Sequence, residues 1–240
     1  MPVVLHARKE LHLKIVYYGP GLGGKTTNLE FIHARSAPQH RGKLVSLTNE
    51  AERTLFFDLL PVHLGQFRGY DVRLQLCTVP GQIAQDRTRK TVLRHVDGVV
   101  FVVDSQPGRL DANVQSIRNL EQNLVLQGDD PDTLPLVVQY NKRDLRGVMT
   151  VAELRKALNV PRDVPEIEAA ALLGRGVFET LKRITRNCLA VVGDPAALAE
   201  GRTPSELPTR RSSMLPEKQP GARAVTIPKA ASLPTFGDKA

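Results

Sequence analysis

Residues 19–26 read GPGLGGKT and fit the spacing Gly-x-x-x-x-Gly-Lys-Thr, a run that dictates much of the architecture around it. The motif requires a strand before it and a helix after it, and both are legible. LKIVYYG, residues 13–19, is a continuous apolar run of strand type, and KTTNLEFIHARS has helical spacing. A phosphate needs several backbone N–H groups converging on one spot, which only a glycine-rich path permits. The positive end of the following helix adds to them. Gly19, Gly21, Leu22, Gly23, Gly24, Lys25, Thr26 and Thr27 are therefore the expected phosphate-binding residues. Lys25 would neutralise β- and γ-phosphate charge, and the Thr26 hydroxyl would ligate Mg2+. The alternative, a glycine turn with an exposed lysine, does not account for the matched strand–loop–helix setting. The motif points to a nucleotide without choosing which.

Alternation of strand and helix patterns continues from residue 11 to 193. DVRLQLCTV alternates as a half-buried strand does, whereas DGVVFVVDS (97–105) and LPLVVQY (134–140) are uninterrupted apolar runs. Such runs are expected when helices cover both faces of a sheet. Ala112 to Leu126 place Val114, Ile117, Leu120, Leu124 and Val125 on one helical stripe. TVAE at 150–153 reads as a capping box opening AELRKALN, and Glu166 to Ala171 as a last short strand. The final helix aligns Val177, Leu181, Ile184 and Cys188. The pattern predicts an α/β fold, a mostly parallel doubly wound sheet with helices on both faces. From about Asp194 prolines become frequent and aliphatic residues scarce. The expected organisation is a folded domain over 1–193 and a proline-rich, disordered tail over 194–240.

A second motif, NKRD at 141–144, follows an apolar strand at the carboxyl edge, where open α/β sheets bind ligands. The Asp144 carboxylate can accept bonds from the N1–H and 2-amino group of guanine, and adenine offers neither donor. A good bidentate contact of this kind discriminates by roughly 1–3 kcal/mol. Asn141 would brace the loop and contact the purine, and the Lys142 stem would lie over the base. Alone, Asn-Lys-Arg-Asp is a polar turn; downstream of a phosphate loop it selects guanine. CTVPGQ, residues 77–82, ends the alternating strand in a Pro-Gly turn at the same edge.

These segments, with GKLVSL, ERTLFFDLLP, DGVVFVVDSQ and GVFETL, resemble the Ras-like small GTPases, and most of all their bacterial MglA type, the polarity switch of gliding bacteria. The resemblance runs from about Glu10 to Val192 and implies a P-loop NTPase fold of the Ras-like kind, with GTP or GDP and Mg2+ as ligands. It also implies roles for further positions. Thr54 would reach Mg2+ and the γ-phosphate, Gly81 would offer its amide to that phosphate, Gln82 would orient the attacking water, and Arg53 would act as an in-chain arginine finger. The Ala171 amide would touch the guanine carbonyl. Two departures stand out. Thr78 occupies the place of the aspartate that usually holds Mg2+ through water, which thins the ion's outer shell although the MglA type shares the threonine. EAAALLG, residues 168–174, lacks the serine hydroxyl that usually braces the base loop.

The expected function is a GTP-hydrolysing switch, slow alone and accelerated by a partner of the roadblock-fold MglB type, with effectors in cell polarity or surface motility. A GTP-dependent scaffold with little turnover and a P-loop small-molecule kinase are the alternatives. A net charge of +8 invites a nucleic-acid reading, but the basic residues are dispersed, only 5% of residues are aromatic and there is no tryptophan. A solvated, mildly basic surface is the expectation. Cys77 and Cys188 lack metal-ligand spacing, and the six histidines are scattered, so reduced thiols and a cytoplasmic location are expected. No apolar run is long enough to span a bilayer, and neither Pro2 nor the terminal GDKA signals a lipid anchor. Recruitment to poles or membrane would then depend on partners.

Overall fold

The uninterrupted apolar runs form the centre of the sheet, because only there are both faces of a strand covered. The computed structural model describes residues 2–49, 54–80 and 86–195. Its strands are β1 (Val3–Leu5), β2 (Glu10–Tyr18), β3 (Val45–Asn49), β4 (Thr54–Phe67), β5 (Tyr70–Thr78), β6 (Gly98–Asp104), β7 (Leu136–Asn141) and β8 (Glu166–Glu168). The helices are α1 (Lys25–Arg35), α2 (Asp86–Leu93), α3 (Leu110–Leu126), α4 (Val151–Leu158) and α5 (Val177–Val192). One sheet runs β3-β4-β5-β2-β6-β7-β8, with β1 added antiparallel to the start of β2. Strands β5, β2, β6, β7 and β8 are parallel, and β4 and β3 extend the sheet as an antiparallel pair.

Alternation along the central strands feeds two cores. Leu13, Ile15 and Tyr17 of β2 with Val100 and Val102 of β6 join α1 and α5 on one face. Val16 and Tyr18 with Val99, Phe101 and Val103 join α2, α3 and α4 on the other. All seven residues of β6 and all six of β7 are buried, as their composition predicts. In α5, Val177, Leu181, Ile184 and Cys188 form the buried stripe. The expected capping box is present, with Thr150 accepting from Glu153 N–H and Glu153 accepting from Thr150 N–H.

Two expectations need correction. Val125 leaves the α3 stripe and is 63% exposed. At about 100° per residue it lies roughly 80° around the helix from Ile117. The last strand stops at Glu168, and Ala171 instead opens a one-turn helix, Ala171–Leu173. Strands β1, β3 and β4 and helix α2 were not foreseen. Pro61 and Gly65 read against a strand interior. Yet Pro61 lies beyond the last β3 pair, Val45 with Leu59, and its carbonyl accepts from Gly42 N–H on that open side. Gly65, with φ +93, sits where the register with β5 shifts. Thus neither residue breaks the ladder.

Candidate functional site

The carboxyl ends of β2, β5, β6 and β7 share one edge, and each delivers a piece of the site there. Between β2 and α1 the phosphate loop curls through Gly19, at φ +145, and Gly24, at φ +96. A side chain at Gly19 would meet the Val102 carbonyl at 2.3 Å, and one at Gly24 would meet Asn141 Nδ2 at 2.1 Å. The glycines are thus required by close approach as well as by conformation. Leu22 keeps a left-handed φ of +62 with its side chain exposed. Lys25 is buried, and its Nζ donates to the carbonyls of Gly19 (3.0 Å) and Pro20 (2.7 Å). Burial, reinforced by the nearby Arg89 charge, depresses its pKa to about 7. Thr26 stands at the start of α1 with Thr27 behind it.

The Thr26 hydroxyl meets a residue to which the motifs assign no role. It donates to Asp58 Oδ2 at 2.6 Å. Asp58 lies in β4, opposite Thr78, since Leu59 pairs with Cys77. Its carboxylate is 5% exposed. It also accepts from the Thr78 hydroxyl at 2.9 Å and the Ser46 hydroxyl at 2.7 Å. Thr78 Oγ1 in turn accepts from Asp58 N–H at 2.9 Å. A carboxylate therefore stands beside Thr26, supplied by the neighbouring strand. The cue in the sequence is the lone acid in FFDLL, which acquires meaning only once β4 is recognised as a strand.

At the base end, Asn141 is buried and ties two loops together. Its Nδ2 donates to Gly23 O at 2.9 Å, and its Oδ1 accepts from Ala171 N–H at 2.9 Å. The Ala171 amide, expected at the guanine carbonyl, is thus engaged by Asn141. Lys142 adopts φ +67 and donates from Nζ to Asp104 Oδ2 (2.7 Å) and Gln106 Oε1 (3.0 Å). Arg143 fastens the loop from behind, with its N–H on Ala169 O and its Nε on Glu168 Oε2 at 2.8 Å. Asp144 lies exposed in the turn that follows.

Other buried polar groups support this edge. Asn28 and Gln139 exchange side-chain hydrogen bonds at 2.9 and 3.0 Å, and Gln139 also donates to Thr180 Oγ1 at 2.9 Å. Asn28 further donates to Gly24 O at 2.8 Å, so α1, β7 and α5 are joined under the loop. Arg89 of α2 has no exposed surface, which corrects the expectation that the basic residues are solvated. Its Nε donates to Pro80 O at 2.9 Å and its Nη1 to Asn119 Oδ1 at 2.8 Å. Arg53, Gly81 and Gln82 lie outside the described residues, as does the tail from 196 to 240. Thr54 begins β4, and its side chain is likewise outside the description.

Residues 4–188 match the ADP-ribosylation factor family. The chain is 53% identical over 186 residues to the mutual gliding-motility protein MglA of Myxococcus xanthus, covering 78% of this chain and 95% of that protein. It is 27% identical over 177 residues to human ADP-ribosylation factor-like protein 4C, covering 72% and 84% of the two chains. The family match takes in β1 through most of α5, and every motif residue at the sheet edge falls within it. The chain belongs to the ADP-ribosylation factor family of Ras-like GTPases, and is a GTP-binding switch homologous to MglA.

Proposed function

We propose that this GTPase hydrolyses GTP slowly unaided and faster with a partner of the roadblock-fold MglB type, and that it serves cell polarity or surface motility. The observation that carries the reading is the Asp58 carboxylate beside Thr26 and Thr78, because it answers the departure that cast doubt on turnover. Hydroxyl and carboxylate oxygens are the hard donors that Mg2+ prefers, so the donor set fits the ion. Thr26 would ligate it, joined by Thr54, while Asp58 and Thr78 would hold an outer-shell water. When bound, Mg2+ neutralises charge on the β- and γ-phosphates.

The rest of the machinery is assigned by role. Amides of the 19–27 loop and the Lys25 ammonium cradle the phosphates, and Gly81 and Thr54 sense the γ-phosphate. Gln82 orients water, and an arginine finger at Arg53 would be worth roughly 10³–10⁵ in rate. Asn141 and Lys142 shape the base pocket with Ala171, and Asp144 reads guanine. The folded domain is taken to span 1–193, with a proline-rich tail over 194–240, although Pro195, just past α5, is still buried. Among the described residues no helix is long and apolar enough to cross a membrane. Action in the cytoplasm, with recruitment to poles or membrane by partners, is part of the same reading.

Single-turnover GTP hydrolysis, with and without an MglB-type partner, tests it. Expected are a slow basal rate, marked stimulation, and loss of both in Gln82→Ala. Absence of stimulation together with an unaffected Gln82→Ala variant would establish the scaffold instead.

A further inference from the structure

Lys25 and Lys142 belong to the two nucleotide motifs, but a third cation reaches the phosphate loop from outside them. Arg109 closes a one-turn helix, Pro107–Arg109, immediately before α3. Its Nη2 donates to the carbonyl of Gly21 at 2.5 Å. Its Nε is buried without a hydrogen-bond acceptor among the described residues and lies 3.6 Å from Asp104 Oδ2. Asp104 is fully buried at the end of β6, and the same Oδ2 receives Lys142 Nζ at 2.7 Å. One carboxylate therefore sits between a guanidinium on the phosphate loop and an ammonium in the NKRD loop.

What Arg109 grips matters. A peptide unit is planar and trans, so the Gly21 carbonyl and the Leu22 N–H point in opposite directions. Holding that oxygen toward Arg109 turns the Leu22 N–H the other way. Leu22 is also the loop's non-glycine residue with a left-handed backbone, at φ +62, a conformation that a β-carbon disfavours. Two bonds oppose relaxation from it, the turn closure of Gly23 N–H on Pro20 O at 3.3 Å and the Arg109 bond to the adjoining Gly21 carbonyl.

We propose that Arg109 is a positioning residue for the nucleotide: its bond to Gly21 holds Leu22 in the left-handed conformation that aims its N–H at the phosphates. Asp104 fixes the guanidinium and links its setting to Lys142 beside the guanine-reading carboxylate. This inference rests on the GTP-switch reading and names a device within that site.

The test is release of fluorescently labelled GDP from the full chain. Loss of a charge-assisted bond corresponds to about tenfold or more, so Arg109→Ala is expected to release GDP about tenfold faster. Arg109→Lys, which keeps a cationic donor and most of the packing, should recover much of the difference and covers the case in which the alanine variant folds poorly. Glycine adopts the left-handed backbone without penalty. In a Leu22→Gly background the effect of Arg109→Ala should therefore shrink to about threefold or less, a coupling that a purely structural role would not produce. An unchanged release rate in Arg109→Ala, or the same loss in both backgrounds, overturns the proposal. A parent chain that fails to bind labelled GDP overturns the functional reading as well, whereas a GDP-binding parent with an indifferent Arg109 overturns this inference alone.

Discussion

Replacing Asp58 by asparagine separates its charge from its shape. Thr26 and Thr78 both donate to Oδ2, while Ser46 donates to Oδ1. The amide can place its oxygen at the Oδ2 position and its NH2 toward Ser46, whose exposed hydroxyl can turn to accept. All three contacts then persist as neutral bonds. Bonds to a charged group contribute about 1.5–3 kcal/mol and neutral ones about 1 kcal/mol, so with relaxation the net cost to folding should be about 1–3 kcal/mol. Metal retention should suffer by a comparable amount, because outer-shell partners typically govern 10–100-fold in affinity, about 1.4–2.7 kcal/mol. The assay is the rate of labelled-GDP release as a function of Mg2+ concentration, beside a urea unfolding curve. Asp58→Asn should need at least about tenfold more Mg2+ to retain GDP while still folding cooperatively. Thr78→Asp in the same background returns a carboxylate from the facing strand and should restore much of the requirement. An unchanged Mg2+ titration in a folded Asp58→Asn protein would refute the role. So would an equal effect of Ser46→Ala, which removes a bond and leaves the charge.

Asn141→Ala leaves Gly23 O and the buried Ala171 N–H without their partner, and should cost about 3 kcal/mol in urea unfolding and raise GDP release about 100-fold. A loss below about 1 kcal/mol would mean the two loops do not depend on it. Asp144→Asn should shift preference from guanine toward xanthine nucleotides in competition binding; unaltered selectivity would remove Asp144 from base recognition. Glu121 is 8% exposed, and burial, with help from Asp132, raises its pKa from 4.5 to about 7. A carboxyl whose folded pKa is raised contributes stability below 4.5 that is lost as pH rises through about 7. Glu121→Gln mimics the protonated form, so thermal melting should show the variant gaining on the parent at pH 8.5 and near parity at pH 5; a gain of equal size at both would place the cause elsewhere.

The two motifs were legible because each is local: a strand, a short loop and, in one case, a helix start. The central strands were legible from unbroken apolar composition. What escaped was set by pairing between distant segments. Asp58 faces Thr78 only in one register of β4 on β5, and a slip of one residue would turn it to the other face of the sheet. With Pro61 and Gly65 obscuring β4, nothing local marked that acid as part of the site. Gln139 hid inside LPLVVQY because a buried amide is satisfied by Asn28 and Thr180, which lie 111 and 41 residues away. Arg89 sits in DRTRKTVL among Arg87 and Lys90, where nothing local separates a buried cation from a solvated one, yet it is enclosed by Tyr18, Asn119 and the Pro80 carbonyl.

The same interior cations change what the net charge of +8 means. Lys25 and Arg89 are buried, and Arg109 and Lys142 are largely covered around the phosphate loop, while the buried carboxylates there among the described residues are Asp58 and Asp104. Burial first, and then the neighbouring Arg89 charge, depress Lys25 to about 7, so its charged form gains from an added anion. A di- or triphosphate supplies what is missing, and it does so whatever base it carries. In the proposed function, affinity at this edge would therefore come from enclosed positive charge and loop amides, which cannot distinguish GTP from ATP. On the proposed reading the choice between them falls to Asp144, which lies exposed beside the braced loop. Weakening the cations should lower affinity for every nucleotide alike, and altering Asp144 should change the ranking while leaving the phosphate end intact.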